Sequence, residues 1–407
     1  MPVKVPEWRS AADELRAVQP ARKQLRILQV VEATSAGVGR HVADLCAALL
    51  RRGHELHLAY SPLRMEEPFA CDIAALPNLH TYALPMRRAP SVSDIGAILK
   101  LRRYIRANGP FDVIHGHSSK GGAIARLSAA GLCSARVYTS HALRSMDPDL
   151  SQCERLLFET AERMLGRWVT KSFIAVSQEE LREAHRLRIA ADRTRLIPYG
   201  IQTPAMPNRV AMRAKYNLQN TDVCVIWIGR LVPQKAPERF VRLFARVLEC
   251  TSGTRGLMIG SGPLEGCVRD LIRDLQLAKH LRLLQDPCAA MSLPAADVCA
   301  ITSRYEGLPY VVLEAQSAGL PVVGFDVGGL STIVENGTTG LIVAQNDESS
   351  FCNALSRLIS DSGLRHQLSD AARVRSEQFG LERMLVQIEA LYQQVSAGSS
   401  GGSALAA

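Results

Sequence analysis

Two glutamates with seven residues between them, Glu306 and Glu314, are the side chains best placed in this sequence to do chemistry. Residues 310 to 314 alone advance about 6 Å along a helix axis, and the loop before them adds to that. A retaining glycosidase needs its two carboxyls about 5–5.5 Å apart, so this pair is not set as acid and nucleophile on one bond. It suits two acceptors gripping distant hydroxyls of one long ligand, with the free N–H groups of a helix start holding an anion between them. A sugar nucleotide has that layout. A capping glutamate and a solvated helix glutamate would satisfy the same local pattern. Imidazoles come next: His115 and His117 in H-G-H, and His141 in T-S-H, fall at or beyond strand ends. H-x-H is half of a metal site, but no acidic or cysteine partner sits at ligand spacing, so no metal is expected. Asp147-Pro148-Asp149 spells D-x-D yet precedes a helical stretch and reads as a helix cap.

These residues need elements to hold them. Around the glutamates, 298–302 is a short apolar strand, 303–308 a polar loop, and 310–318 a helix ended by Gly319. Pro309 suits that helix's first turn, where its missing N–H is not needed. Residues 321–325 return as a second buried strand, completing a βαβ unit whose loop lies at the carboxyl end of a strand, where open parallel sheets bind ligands. The chain begins the same way, with strand 25–31, a loop at 32–40, helix 41–52 and strand 55–60. The loop holds G-V-G (Gly37, Gly39) without the third glycine of a dinucleotide fingerprint, leaving either a plain turn or a phosphate or ligand site. Strands at 111–115, 135–139 and 172–176 continue the first half; 223–228 and 256–260 open the second. The alternation predicts an α/β protein of two doubly wound, Rossmann-like domains facing a cleft.

The motifs resemble those of one family. S-x-x-E-G-L-P-x-x-x-L-E-A-x-x-x-G-x-P-V-V, carrying Glu306 and Glu314, is similar to the donor-binding signature of retaining family-four glycosyltransferases, which have the GT-B fold. The resemblance runs over about residues 25–395. It implies metal-independent sugar transfer with retention, from a UDP-, GDP- or ADP-sugar and without a cofactor. Arg230 and Lys235 match the family's G-R-L-x-x-x-K pair, which clamps the donor diphosphate; two cations there neutralise a dianion that no metal serves. By the same resemblance His141, Arg230, Lys235 and Glu306 are catalytic. Gly39, Gly307, Leu308, Pro309, Tyr310 and Glu314 join the two cations in binding donor, and Gly37, Gly39 and His117 face the acceptor. The departures are Ala36 and Ala236 where glycine is frequent, Tyr199 for the usual asparagine of V-I-P-N-G, Gln285 for glycine, and Thr332 for the glutamate of G-G-x-x-E. An epimerase of the same fold and a non-catalytic sugar-nucleotide-binding subunit are the alternatives; the latter should have lost part of the Arg230, Lys235, Glu306 and Glu314 set.

At 407 residues, 47% hydrophobic and 21% charged, the chain suits two domains. The reading places an extension at 1–21, an acceptor domain at 22–200, a donor domain at 211–380, a crossover helix at 381–396 and a disordered tail at 397–407. No signal-peptide core, spanning segment or C-x-x-C is present, so a reduced cytoplasmic compartment is expected. The net charge of +9 lies wholly in residues 1–200, with 29 Lys and Arg against 20 Asp and Glu. Helix 93–108 concentrates Lys100, Arg102, Arg103 and Arg106 opposite a core face of Ile95, Ile98, Leu99, Leu101 and Ile105. That asymmetry suggests an anionic partner for the N-terminal half, with no nucleic acid expected. A plain solvated helix face satisfies the same pattern; anionic lipid headgroups at the inner face of the plasma membrane are the other reading. The resemblance implies a saccharide or lipid-linked saccharide as acceptor, since family members acting on lipid-linked acceptors dock through such a helix.

Overall fold

The computed structural model describes residues 23–189, 193–202, 206–286 and 288–400. The amphipathic segment expected near the N-terminus and residues 401–407 of the expected tail lie outside them.

Apolar runs such as I-L-Q-V-V and V-C-V-I-W build two sheets of parallel strands. Both sheets are covered on both faces, which is why their strands read as continuous apolar runs rather than alternating ones. The first sheet has strands β1 (Arg26–Val31), β2 (Glu55–Tyr60), β3 (Leu79–Ala83), β4 (Val113–His117), β5 (Ala135–Thr139), β6 (Ser172–Ala175) and β7 (Thr194–Leu196) in the order β3-β2-β1-β4-β5-β6-β7. The second has β8 (Val223–Ile228), β9 (Thr254–Ile259), β10 (Leu281–Leu284), β11 (Val298–Ile301), β12 (Val322–Phe325) and β13 (Gly340–Val343) in the order β10-β9-β8-β11-β12-β13. The strand order reverses after β1 and again after β8. Each sheet therefore has a switch point, with a crevice at its carboxyl edge.

The helices that matter for the site are α1 (Ala36–Arg51), α2 (Ser93–Asn108), α3 (Ser119–Ser128), α4 (Gln152–Trp168), α5 (Gln178–Arg186), α6 (Tyr310–Ser317) and α7 (Leu381–Ser400). Helix α7 packs Leu385, Ile388 and Tyr392 into the first sheet's core beside Ile27, Leu45 and Val137. The chain crosses between the two sheets twice, and the crossings pair: Ile201 N–H donates to Phe379 O at 2.8 Å and Leu381 N–H to Ile201 O at 3.0 Å.

Four local expectations are corrected. Helix α1 begins at Ala36, so the G-V-G stretch is its first turn and not a loop before it. Pro309 is the extended residue before α6 rather than part of its first turn, and it offers no side-chain cap. The cap of α4 is Ser151, which forms a capping box with Glu154; Asp147 instead pairs with Arg144 at 2.6 Å. On α2 the core face is Ala97, Leu101 and Ile105, one residue every four. Ile95 and Leu99 stand two positions off that stripe, about 200° around the helix, and are 64% and 61% exposed. Arg102 turns inward to the carbonyls of Ser128 and Ala130, at 2.9 and 2.8 Å.

Candidate active site

The two crevices face each other across a cleft of about 690 Å³. From the second domain, the loop after β8 brings Arg230 and Lys235, and the loop after β11 brings residues 306–309. The lysine ammonium lies 2.5 Å from Glu306 Oε1, and the Ser303 hydroxyl donates to the same oxygen at 2.6 Å. Glu306 is nearly buried, so that ion pair organises the loop. Arg230 is exposed and has no ion-pair partner among the described residues. Because Pro309 supplies no cap, the first N–H groups of α6 keep no side-chain acceptor and their positive end faces the cleft.

Ala236 holds φ +46° and Ala36 φ +49°, both in the left-handed region where a Cβ is strained. That conformation is the physical reason glycine is usual at these two positions. Gly307 is required for another reason: a Cβ there would stand 2.8 Å from the carbonyl oxygen of His141, where the two domains touch.

The first domain closes the other wall, and here the structure adds residues that sequence reading missed. Arg40, on the first turns of α1, forms an ion pair with Glu314 across the cleft, and its guanidinium lies 5.0 Å above the Tyr310 ring. Tyr310 also stacks on Tyr199 with ring centres 4.8 Å apart. Arg304 meets Asp149 at 2.6 Å, and Glu179 of α5 accepts from Gly329 N–H at 3.0 Å and Ser331 Oγ at 2.8 Å. Burial opposes ionisation of Glu179, but these donors hold its carboxyl below the ordinary glutamate range. The only advance signal for Arg40 was its place directly after G-V-G.

His141 lines the cleft, on a loop where it and Ala142 have φ +60° and +98°. Glu180, buried on α5, fixes that loop by accepting from Ser140 Oγ, Ala142 N–H and Val176 N–H. Burial raises the Glu180 carboxyl above the ordinary range. Two expected site residues fall elsewhere. His117 is fully buried behind His141, off the cleft wall. Gly39 also leaves the wall; a Cβ there would stand 3.0 Å from the backbone carbonyl carbon of Thr34, so glycine lets α1 pack against it. Gly37 does line the cleft, against Tyr310.

The imidazoles form one directed hydrogen-bond chain. His117 Nε2 lies 2.7 Å from Gln29 Oε1, an oxygen that only accepts, so the proton sits on Nε2 and Nδ1 carries the lone pair. His141 Nε2, 3.0 Å from that Nδ1, is then the donor, and Tyr199 O–H donates to His141 Nδ1 at 2.5 Å. On the far side Gln29 Nε2 donates to Tyr392 at 3.1 Å, whose hydroxyl donates to His115 Nδ1 at 2.5 Å. Burial drives His115, His117 and His141 well below the usual histidine range, so all three are neutral. His41 of α1, wedged against His117, His141 and Tyr199, is pushed down to about 3 by burial.

Comparison with known proteins fits this geometry. The family described as Glycosyltransferase Family 4 matches residues 35–204, and the one described as Glycosyl transferases group 1 matches residues 208–375. A D-inositol 3-phosphate glycosyltransferase of Acidothermus cellulolyticus is 30% identical over 390 residues, covering 89% of this chain and 86% of its own. An Escherichia coli UDP-Gal:alpha-D-GlcNAc-diphosphoundecaprenol alpha-1,3-galactosyltransferase is 26% identical, covering 75% and 81%. Among solved structures, Anabaena HepE in complex with UDP-glucose superposes with a TM-score of 0.77 at 17% identity, over 91% of this chain and all of that one. No helix among the described residues is long and apolar enough to cross a membrane. With paired parallel sheets, a cleft between their carboxyl edges and both family halves matched in order, the chain belongs to the family 4, group 1 glycosyltransferases of the GT-B fold, enzymes that move a sugar from a nucleotide-sugar donor.

Proposed function

We propose that the protein transfers a hexose, with retention, from a UDP-sugar to a lipid-linked saccharide at an anionic membrane surface on the cytoplasmic side. The observation that carries the reading is the cleft wall of the second domain. Glu314, the uncapped start of α6, Arg230, Lys235 and Glu306 all line it, and the reading gives the ribose to Glu314, the diphosphate to the α6 start with Arg230 and Lys235, and the sugar to Glu306. Arg230, Lys235 and the α6 N–H groups stabilise the leaving diphosphate, where charge develops. The acceptor attacks from the same face as the leaving group, and the leaving phosphate takes its proton, so no protein nucleophile is needed. UDP as the carrier is supported by the printed names of the Escherichia coli relative and of the HepE complex.

For the acceptor, α2 and the residue before it expose Val92, Ile95 and Leu99 beside Lys100, Arg103 and Arg106. Apolar side chains next to cations suit a headgroup layer, and each cation near an anionic surface contributes about 1 kcal/mol. A small phosphorylated acceptor is the second reading, favoured by the Acidothermus relative, whose name gives D-inositol 3-phosphate.

Purified protein incubated with UDP-, GDP- and ADP-sugars, with a polyprenyl-diphosphate saccharide in anionic vesicles or with inositol phosphate, decides between them. UDP release that needs the lipid-linked acceptor, and vesicle binding lost when Lys100, Arg103 and Arg106 become Gln, is the expected result. Release only with inositol phosphate selects the second reading. An isomerised donor without a glycoside product, or no turnover of any donor, overturns both.

A further inference from the structure

We propose that His41, His117 and His141 form a binding site for one divalent transition-metal ion of the zinc class, buried behind the cleft wall that His141 lines, beside the transfer chemistry rather than within it. One ring nitrogen from each of the three lies within 4.8 Å of the others. Tetrahedral zinc with N–Zn bonds of 2.0–2.1 Å places ligand nitrogens about 3.3 Å apart, so small ring rotations close the set.

Two independent features point to a ligand. The first is His41: it is only 3% exposed, and both of its ring nitrogens lack a hydrogen-bond partner among the described residues. A buried imidazole with neither nitrogen satisfied carries an uncompensated desolvation cost, and a metal bond removes it. The second is the outer shell. Histidines that bind metal donate their other N–H to a fixed acceptor, and His117 already does so, from Nε2 to Gln29 Oε1 at 2.7 Å. Tyr199 stands 2.5 Å from His141 Nδ1, in the corresponding place.

The proton count balances without release. His117 Nδ1 already presents its lone pair. On His141 the proton moves from Nε2 to Nδ1, and the Tyr199 hydroxyl turns from donor to acceptor, a change that its oxygen allows. His41 supplies a lone pair from a neutral ring. The ion replaces the single hydrogen bond between His141 and His117. Three imidazoles without thiolate suit zinc, copper, nickel or cobalt rather than magnesium or calcium. The spacing of H-x-H did not show this site because the third ligand comes from α1, 76 residues before His117 in the chain.

A second group, Glu55, His57 and His80, lies at the other end of the first sheet. Its carboxylate is already held by Arg26 Nε at 2.8 Å, which makes it an internal control. The test uses full-length protein carrying no histidine tag, stripped with chelator and titrated with Co²⁺ and then Zn²⁺. Binding is read from the cobalt visible spectrum and from metal content, independently of any sugar transfer. The expected result is one ion per chain with a tetrahedral cobalt spectrum, lost in His41→Ala and retained in His80→Ala. Gln29→Leu should weaken binding about 10–100-fold, and zinc should raise the melting temperature of wild type but not of His41→Ala. If His41→Ala does not fold, His141→Gln replaces it with the same expected loss. No stoichiometric binding, binding unchanged by the His41 and Gln29 substitutions, or binding lost in His80→Ala overturns the site.

Discussion

Replacing Lys235 by Met should injure this protein in two separable ways. The ammonium lies 2.5 Å from Glu306, whose side chain is 7% exposed against 19% for the lysine. Breaking a fully buried pair by removing one partner costs about 3–5 kcal/mol, because the other charge is left without compensation. Water reaches Lys235, so a loss of about 2–3 kcal/mol is expected here. Turnover should fall separately, since losing one donor at a site of developing charge costs about 3–4 kcal/mol, or 100–1000-fold. Pairing Lys235→Met with Glu306→Gln removes the stranded carboxylate and should return stability to within about 1 kcal/mol of wild type, a coupling typical of residues in contact. It should leave turnover at least 100-fold down. Urea unfolding followed by the fluorescence of Trp227, buried in the second domain's core, reads the first effect, and nucleotide release reads the second. A double variant as unstable as Lys235→Met would show that the ion pair does not organise the loop. A double variant with wild-type turnover would remove Lys235 from the chemistry.

Arg230→Ala should cut turnover 100–1000-fold while stability stays within about 0.5 kcal/mol of wild type, because the side chain is exposed and holds nothing in place; a matching loss in urea stability would contradict that. Glu314→Gln should weaken free UDP and intact donor alike, whereas Glu306→Gln should spare free UDP, and calorimetry with both ligands shows whether they divide the work in this way. Ala36→Gly and Ala236→Gly should each stabilise by about 0.5–1 kcal/mol, since the relieved left-handed strain of about 1–2 kcal/mol exceeds the entropy glycine costs; lower thermal midpoints would count against it. With chelator present, stability should fall as pH drops from about 6.5 toward 3, because the unfolded histidines take up protons that buried His41, His115, His117 and His141 refuse. The slope is about 1.4 kcal/mol per pH unit for each histidine, and urea midpoints at pH 7 and 5 that coincide would refute it.

The parts of the fold and site that could be read from the sequence are those whose determinants lie close together along it. Strand β11, its loop and α6 occupy one run, and apolar stretches covered on both faces announce parallel strands without any partner being known. What escaped depends on residues far apart. Arg40 meets Glu314 across 274 positions, and His41 meets His117 and His141 through packing that no spacing encodes. The face of α2 was misjudged because apolar residues occur on both its sides, and only contact with the sheet chooses between them.

The departures from the family pattern are where sequence and structure inform each other most. Tyr199, in place of asparagine, reaches His141 and sets which ring nitrogen carries its proton. Thr332, in place of glutamate, removes a carboxylate from the short helix that starts after Gly329, and Glu179 of the first domain supplies one there instead. A glutamate within G-G-x-x-E would belong to the second domain at every cleft opening. Glu179 reaches Gly329 N–H only while the domains are apposed, and the Gln178 N–H to Thr332 Oγ1 contact at 3.2 Å obeys the same condition. In this chain the polar contacts at that helix start therefore join the two domains, as the Arg40 pair with Glu314 does on the other side of the cleft.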